Sequence, residues 1–479
     1  MTDALSDLWN ALGSIEHLGW WLALGWLLYF VWVGGWILLQ KREPAATISW
    51  LLGLALLPYV GFLVYYFLGP QKIRRQRLRR ARTRAALPAR DSGPADESQE
   101  LVRLSHATTG LGPASAQEVR LLHEGREKYE SLCADIRAAT SHVHLEYYIW
   151  HPDGIGTALR DLLAERARAG VQVLLLLDAV GAGKCDEAFF RPLCDAGGEL
   201  AWFHPMRLKF WKRPWLNLRS HRKIVVIDGR IAYTGGMNVS DDQDERAKPR
   251  EAYRDLHLRL TGEVVASLES VFVEDWAYAT GRVPTVPQPA AERAHGAGPV
   301  GAQVIVSGPD SPWEPIHRAH VGAIHAARRR VWLATPYFVP GEAAMMALTS
   351  AALGGLDVRL LVPKMGDSRL VTYAARSYFD ELLQAGVRIH EYGPRLMHSK
   401  ALLVDDDLAL IGSANFDHRS FRLNFEVSML FCDAGVAAAL ARRIGQDLAH
   451  APRVRAERDR PLWRDRLPEA AARLLSPLL

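Results

Sequence analysis

Two histidines, His221 and His398, each stand two residues before a lysine (Lys223, Lys400) and seven before an aspartate (Asp228, Asp405). Gly235, Gly236 and Asn238 follow the first set at the offsets at which Gly412, Ser413 and Asn415 follow the second, so His and Asn lie 17 residues apart in both. Chance would have to fix His, Lys, Asp, Gly and Asn twice in one register, so the pattern reads as a duplicated site. These residue types suit phosphodiester chemistry. Imidazole is a nucleophile or proton carrier near neutral pH. Lysine adds a fixed charge and three donors, and asparagine an amide donor. With two sets face to face, one histidine would attack phosphorus and the other would protonate the leaving oxygen. The lysines and asparagines would hold charge on the nonbridging oxygens. The scheme requires no metal ion or cofactor, and the sequence displays no compact ligand cluster.

The residues inside each motif indicate how it is held. Residues 224–227 and 401–404 are short, apolar and rich in aliphatic side chains, as in buried strands. On a strand, positions i and i+2 share a face, so His221 and Lys223 point one way, as do His398 and Lys400. Asp255 and Glu426 open strand-like segments after each motif. A carboxylate on the second ring nitrogen would fix a histidine's tautomer and steady its cation. Asp228 and Asp405 complete the motif and belong to its catalytic set by pattern. Each nevertheless follows an apolar strand, and Asp228-Gly229 is a turn pair, so turn capping with a local salt bridge is the better physical reading. Gly235, Gly236 and Gly412 read as backbone-fit residues. His142, His144, His257 and His390 lack the motif's companions and read as satisfied core histidines.

The whole pattern resembles the phospholipase D superfamily, whose hallmark is a duplicated His-x-Lys-x4-Asp followed by Gly-Gly/Ser-x-Asn. The stretches 221–238 and 398–426 are most similar to bacterial cardiolipin synthases of that superfamily, as are Thr335-Pro336-Tyr337-Phe338-Val339-Pro340 and Glu146-Tyr147-Tyr148-Ile149. The likeness covers the N-terminal hydrophobic segments and most of the chain from residue 119, leaving the linker, the charged insert 241–250 and the tail poorly matched. The resemblance implies a transphosphatidylation that joins two phosphatidylglycerols into cardiolipin and glycerol. It assigns the family's histidine, lysine and asparagine roles to His221, Lys223 and Asn238, and to His398, Lys400 and Asn415. It favours His221 as nucleophile, and implies substrates drawn from anionic membrane lipid.

Two hydrophobic stretches, 18–39 and 44–71, carry no charged residue. Each reaches the roughly 20 residues needed to cross a bilayer, and residues 41–43 leave room only for a tight turn. They read as a transmembrane hairpin rather than a cleaved leader, because no basic segment precedes a short apolar core. Eight Lys and Arg lie in residues 72–84, which by the positive-inside rule puts the following lobes in the cytoplasm of a bacterial inner membrane. Such an arm also grips anionic lipid. Residues 72–90 hold nine basic and no acidic residues. Removing those nine from the net +5 leaves the rest at −4. The pI near 9.0 therefore belongs to the arm, which argues against a nucleic-acid channel across the body. Cys133, Cys185, Cys194 and Cys432 show no Cys-x-x-Cys spacing and suit a reducing compartment.

The halves repeat beyond the motifs. Strand, helix and strand can be read over 143–150, 156–169 and 171–178, then another helix and a strand around 200–203, and the same order recurs over 331–336, 341–353, 358–362, 370–385 and 387–392. The fold expected is α/β, with two pseudo-symmetric phospholipase D-like lobes of mixed, largely parallel sheets flanked by helices, preceded by the hairpin. The domains expected are the hairpin 1–71, a basic arm and linker 72–117, a first lobe 118–290, and a second lobe with tail 291–479. The basic, aromatic loop 203–215 and the amphipathic tail 462–479 are candidates for contact with lipid. A membrane-bound phospholipase D or another phosphatidyltransferase would use the same residues. A nuclease is disfavoured by the hairpin and the acidic body, and a catalytically dead scaffold by two intact motifs.

Overall fold

The apolar runs of the body fold as strands, and the stretches between them as helices. The computed structural model describes residues 17–39, 44–57, 100–205, 218–287 and 298–476. They fall into an N-terminal unit, within Met1–Gln71, and a body containing both motifs.

In the N-terminal unit, α1 (Leu18–Leu38) has 21 residues and no charge, and α2 (Pro44–Leu56) opens on a proline, a residue suited to the first helical position. The helices meet through Val33, Ile37 and Leu54. A Cβ on Gly34 would lie 3.2 Å from Leu51 Cδ2, a close approach that the glycine permits. Among the described residues no helix is long and apolar enough to cross a membrane. The turn at 41–43, the second stretch beyond residue 57 and the basic arm lie outside the described residues.

The body opens with α3 (Glu100–Thr109) and β1 (Ala114–Ala116), then β2 (Glu118–Leu122), α4 (Gly125–Ala138), β3 (His142–Tyr147), α5 (Gly154–Arg168), β4 (Gln172–Asp178), α6 (Arg191–Asp195) and β5 (Glu199–Phe203). The first motif follows, with β6 (Ile224–Ile227), β7 (Ile231–Gly235), β8 (His257–Thr261) and α7 (Val264–Thr280). The second lobe has β9 (Val300–Ser307), α8 (Pro315–Ala326), β10 (Arg330–Ala334), β11 (Phe338–Val339), α9 (Glu342–Leu353), β12 (Asp357–Pro363), α10 (Arg369–Arg376), α11 (Phe379–Gln384) and β13 (Arg388–Tyr392). It ends with β14 (Ala401–Val404), β15 (Leu408–Gly412), β16 (Phe416–Asp417), α12 (His418–Arg422), β17 (Glu426–Cys432), α13 (Ala434–Ala449) and α14 (Leu467–Leu474).

The sheets run β2-β8-β7-β6-β3-β4-β5 and β1-β9-β17-β15-β14-β10-β12-β13. Their registers repeat, with Leu145 facing Val225 and Leu333 facing Leu402. Both sheets are mixed, but the expectation that parallel pairs dominate is corrected. Within these two sheets only β3-β4-β5 and β10-β12-β13 are parallel and the other pairs are antiparallel, while β11 and β16 form a separate parallel pair. The reason is the motif itself. Asp228 and Gly229 take φ of 53° and 62°, and Arg230 N–H donates to Ile227 O at 3.0 Å. That two-residue turn sends β7 straight back along β6. The segment 72–117 also ends in order, since α3 is helical and β1 pairs with β9 in the second sheet. The helix expected over 370–385 is broken at Ser377-Tyr378 into α10 and α11.

Side chains from both sheets, among them Leu176, Ile224, Val226, Val304, Leu403 and Val427, share one core with α7 and α13. The outer faces of the two sheets form separate cores under the remaining helices. The lobes are thus joined across a common apolar layer, and the two motif strands β6 and β14 both belong to it.

Candidate active site

The segments leading into each motif pair with the opposite lobe. His221 N–H donates to Phe425 O (2.9 Å) and Phe425 N–H to Arg219 O (2.9 Å). In the other copy, Arg254 N–H donates to Leu396 O (2.8 Å) and His398 N–H to Arg254 O (2.7 Å). This crossing decides which carboxylate meets which histidine. Both Glu426 oxygens lie 3.0 Å from His221 Nδ1, and Asp255 Oδ2 lies 2.6 Å from His398 Nδ1. Each carboxylate therefore serves the other motif's histidine, and each Nε2 is left for a substrate. Lys223 Nζ donates to His221 O at 2.6 Å. Lys400 Nζ contacts His398 O, lies 2.7 Å from His398 Nδ1 and 3.7 Å from Asp255. All six groups are buried.

Burial drives the electrostatics. It pulls His221 down to about 4 against the opposing pull of Glu426, so the imidazole is neutral near pH 7. Burial also lowers His398, helped by the charge on Lys400, and lowers Lys223 to about 7 and Lys400 below its usual range. It works against the charge of Asp255 too, but Lys400 and His398 outweigh it and hold that carboxyl at about 2. Glu426 is likewise held low by His221, Lys223 and Ser413 despite burial. Two buried lysines with reduced proton affinity make a pocket that gains most from a bound anion.

The asparagines are anchored beside these groups. Asn238 Oδ1 accepts from Ile149 N–H at 3.2 Å, while its backbone carbonyl takes Lys128 Nζ at 2.8 Å and Tyr129 OH at 2.7 Å. Asn415 N–H donates to Ser420 Oγ at 3.2 Å. Two glycines behave as backbone-fit residues. A Cβ on Gly236 would fall 2.1 Å from Asp255 Oδ1, and one on Gly412 2.4 Å from Val427 O. Ser413 stands where the first motif has Gly236, and its hydroxyl donates to Glu426 Oε2.

Asp228 and Asp405 are not part of this constellation, which corrects their place in the catalytic set. They sit at the far ends of β6 and β14, both in the left-handed region. Asp228 accepts from the backbone amides of Thr140, Ser141 and His142 at 2.8–3.0 Å. Asp405 accepts from those of Arg328, Arg329 and Arg330 at 2.8–3.0 Å. Each carboxylate ties its motif strand to the start of the neighbouring strand, β3 or β10. The turn-capping role holds, but the partners are backbone amides rather than a charged side chain. All four cysteines are free thiols.

Several neighbours escaped the sequence reading. Tyr148 packs edge-on against His221 (ring centroids 4.9 Å) and Tyr253 lies over His398 (5.5 Å). Tyr337 OH donates to Asp367 at 2.6 Å. Below His221, the hydroxyl of Ser220 donates to the buried Glu146, and Arg222 joins Asp275 to the carbonyl of Glu426. Tyr148 and Glu146 lie within a segment that carries the family resemblance, which was a usable signal. Arg222 lies within another such stretch, 221–238, whereas Asp275 gave no signal. One expectation is overturned. His142, His144 and Glu269 do form a compact cluster of ligand atoms within 4.8 Å of one another. His257 is buried with neither ring nitrogen bonded, so it is not a satisfied core histidine.

Comparison with known proteins agrees with the geometry. The family described as "Cardiolipin synthase, PLD-like domain" matches residues 132–276 and 321–448, and a phospholipase D-nuclease N-terminal family matches residues 27–70. A cardiolipin synthase of Geobacillus sp. (strain WCH70) is 42% identical, over 92% of this chain and 91% of its own. Cardiolipin synthase 2 of Bacillus anthracis is 39% identical over 93% and 89%. Among solved structures, phosphatidylserine synthase of Haemophilus influenzae Rd KW20 shares the fold, with a TM-score of 0.60 at 14% identity over 79% of this chain and all of that one. With crossed His–carboxylate pairs, two buried lysines and matches of this extent, the chain belongs to the cardiolipin synthase family of phospholipase D-like proteins.

Proposed function

We propose that the protein is a phosphatidyltransferase that converts two phosphatidylglycerols into cardiolipin and glycerol. The observation that carries this reading is the crossed pairing, His221 with Glu426 and His398 with Asp255. It gives one site two imidazoles whose Nε2 atoms are free for different tasks. With its proton held on Nδ1, His221 attacks phosphorus through Nε2. The P–O bond to glycerol breaks, and the departing oxygen takes a proton from His398 Nε2. The phosphatidyl group then rests on His221. The terminal hydroxyl of a second phosphatidylglycerol gives its proton to His398 and attacks phosphorus, and the P–N bond breaks. Lys223, Lys400, Asn238 and Asn415 hold the nonbridging oxygens throughout.

Binding of the phosphodiester anion between the lysines raises the proton affinity of His398. A bound anion therefore favours the charged form of this acid. No step requires a metal ion.

The N-terminal unit would hold the lobes at the cytoplasmic face of a bacterial inner membrane, with the basic arm on anionic headgroups. Two uncharged stretches and eight basic residues in 72–84 support this. The test is direct. Purified full-length protein is incubated with phosphatidylglycerol vesicles, and the products are identified by mass. Cardiolipin and glycerol in equal amounts are expected. Phosphatidic acid as the main product would make the protein a phospholipase D.

A further inference from the structure

Strand β3 sends His142, His144 and Glu146 to one face, because alternate residues of a strand share a side. Helix α7 packs on that face and presents Glu269 and Phe272, one turn apart. His142 Nε2 lies 2.7 Å from Glu269 Oε1 and His144 Nδ1 lies 3.4 Å from the same oxygen. The His144 ring stacks on Phe272 at 4.9 Å. Both histidines are fully buried, and Glu269 retains 13% side-chain exposure.

The protons in this cluster can be assigned. Gln172 Nε2 donates to Thr285 O at 3.1 Å, which turns its Oε1 toward His144 Nε2 at 3.2 Å. His144 therefore carries a hydrogen on Nε2, and in the neutral ring its Nδ1 is a bare lone pair. That lone pair is buried without a hydrogen bond and faces a carboxylate oxygen. Lone pair against anion is unfavourable unless a cation lies between them. Ser141 Oγ, 3.2 Å from His142 Nδ1, is placed to accept a proton there and so leave Nε2 free to coordinate.

We propose that His142 Nε2, His144 Nδ1 and the Glu269 carboxylate form a structural site for a divalent transition metal, zinc being the best match. Two imidazoles and one carboxylate are a borderline donor set that zinc takes readily with water in the fourth position. Bond lengths of about 2.0–2.1 Å in a tetrahedron place donor atoms roughly 3.4 Å apart. The His144–Glu269 pair already has that spacing, and the His142–Glu269 pair reaches it with a shift of well under roughly one ångström. The ion would pin β3 to α7. Glu146, two residues beyond His144, lies roughly 7 Å along the strand and belongs to the buried group beneath His221. The site thus braces the first lobe and takes no part in the phosphoryl steps.

The test uses full-length protein purified in detergent without chelator. Metal content is measured by mass spectrometry, followed by zinc titration of chelator-treated protein and by the visible spectrum of the cobalt(II) form. The result expected is one zinc per chain, tetrahedral d–d absorption with cobalt, and a melting temperature that rises when zinc is restored. Glu269→Gln, which keeps the shape of the side chain, should lose the metal and the zinc-dependent rise. Two results would each overturn the proposal. One is wild-type protein that carries no metal and neither binds zinc nor shifts its melting on titration. The other is stoichiometric metal that survives in both Glu269→Gln and His144→Gln. The wild-type measurements decide the matter even if a variant fails to fold.

Discussion

With both Glu426 oxygens 3.0 Å from His221 Nδ1, the imidazole proton stays on Nδ1 and the Nε2 lone pair faces the substrate. Glu426→Gln keeps the volume but removes the charge that fixes this tautomer. It should cut kcat/KM by roughly two to four orders of magnitude while leaving the melting temperature within a few degrees, as circular dichroism would report. The pH profile of kcat/KM for the free enzyme is also determined at this scale. Protonated His221 cannot attack, so activity falls on the acid side only as pH drops well below 6.5, because burial lowers its proton affinity. Neutral Lys223 cannot hold the phosphate, and burial brings this lysine to about 7. The alkaline limb should therefore begin far below the usual lysine value of 10.5. An acid limb above 6.5, or a flat profile up to pH 10, would contradict these environments.

At the scale of elements, the crossed backbone pairing of residues 219–221 with 424–426, and of 396–398 with 254–255, is what joins two half-sites. It couples the motifs in an asymmetric way that substitutions can expose. Gly236 belongs to the first motif, yet a Cβ there collides with Asp255, the partner of the second motif's histidine. Gly236→Ala should behave as a lesion of His398 rather than of His221. Turnover of phosphatidylglycerol should drop at least tenfold. A substrate with a nitrophenol leaving group, which needs no protonation, should still show a normal first burst. Loss of the burst would place the damage on His221 instead.

Much of this was legible in the sequence, and the reasons are physical. The motif strands β6 and β14 could be read because a four-residue apolar run bounded by polar residues has few other fates. Asp255 and Glu426 could be read as candidate histidine partners, because each carboxylate lies in a strand-like segment after a motif. Which histidine each serves could not be read. That depends on contacts between residues about 140 and 205 apart in the chain, which no local pattern encodes. The parallel-dominated sheet was misjudged because helices alternate with strands only in the first half of each lobe. The Asp228-Gly229 turn, visible in the sequence, already implied the antiparallel half.

For the whole molecule, the proposed placement on lipid would make the balance between transfer and hydrolysis depend on where the lobes are held. Both substrates are lipids, and confinement to one plane raises the acceptor's effective concentration against water. The basic arm adds about 1 kcal/mol per residue near an anionic surface. Removing residues 1–84 should weaken sedimentation with anionic vesicles at least tenfold at low salt and raise the share of phosphatidic acid. Turnover of a short-chain soluble substrate should change by less than about threefold, since both motifs lie in the separate body. Equal losses on both substrates would assign the N-terminal unit to folding of the body rather than to placement on lipid.

The division of labour between His221 and His398 is the central claim, and trapping the covalent intermediate tests it most directly. Enzyme mixed with labelled phosphatidylglycerol is quenched in alkaline denaturant and mapped by peptide mass spectrometry. The account predicts a phosphatidyl group on His221 in wild-type protein and none in His221→Ala. In His398→Ala it predicts slow accumulation of the same adduct, because the base that activates the acceptor is gone. Label on His398, or product formed at the normal rate by either variant, would contradict it.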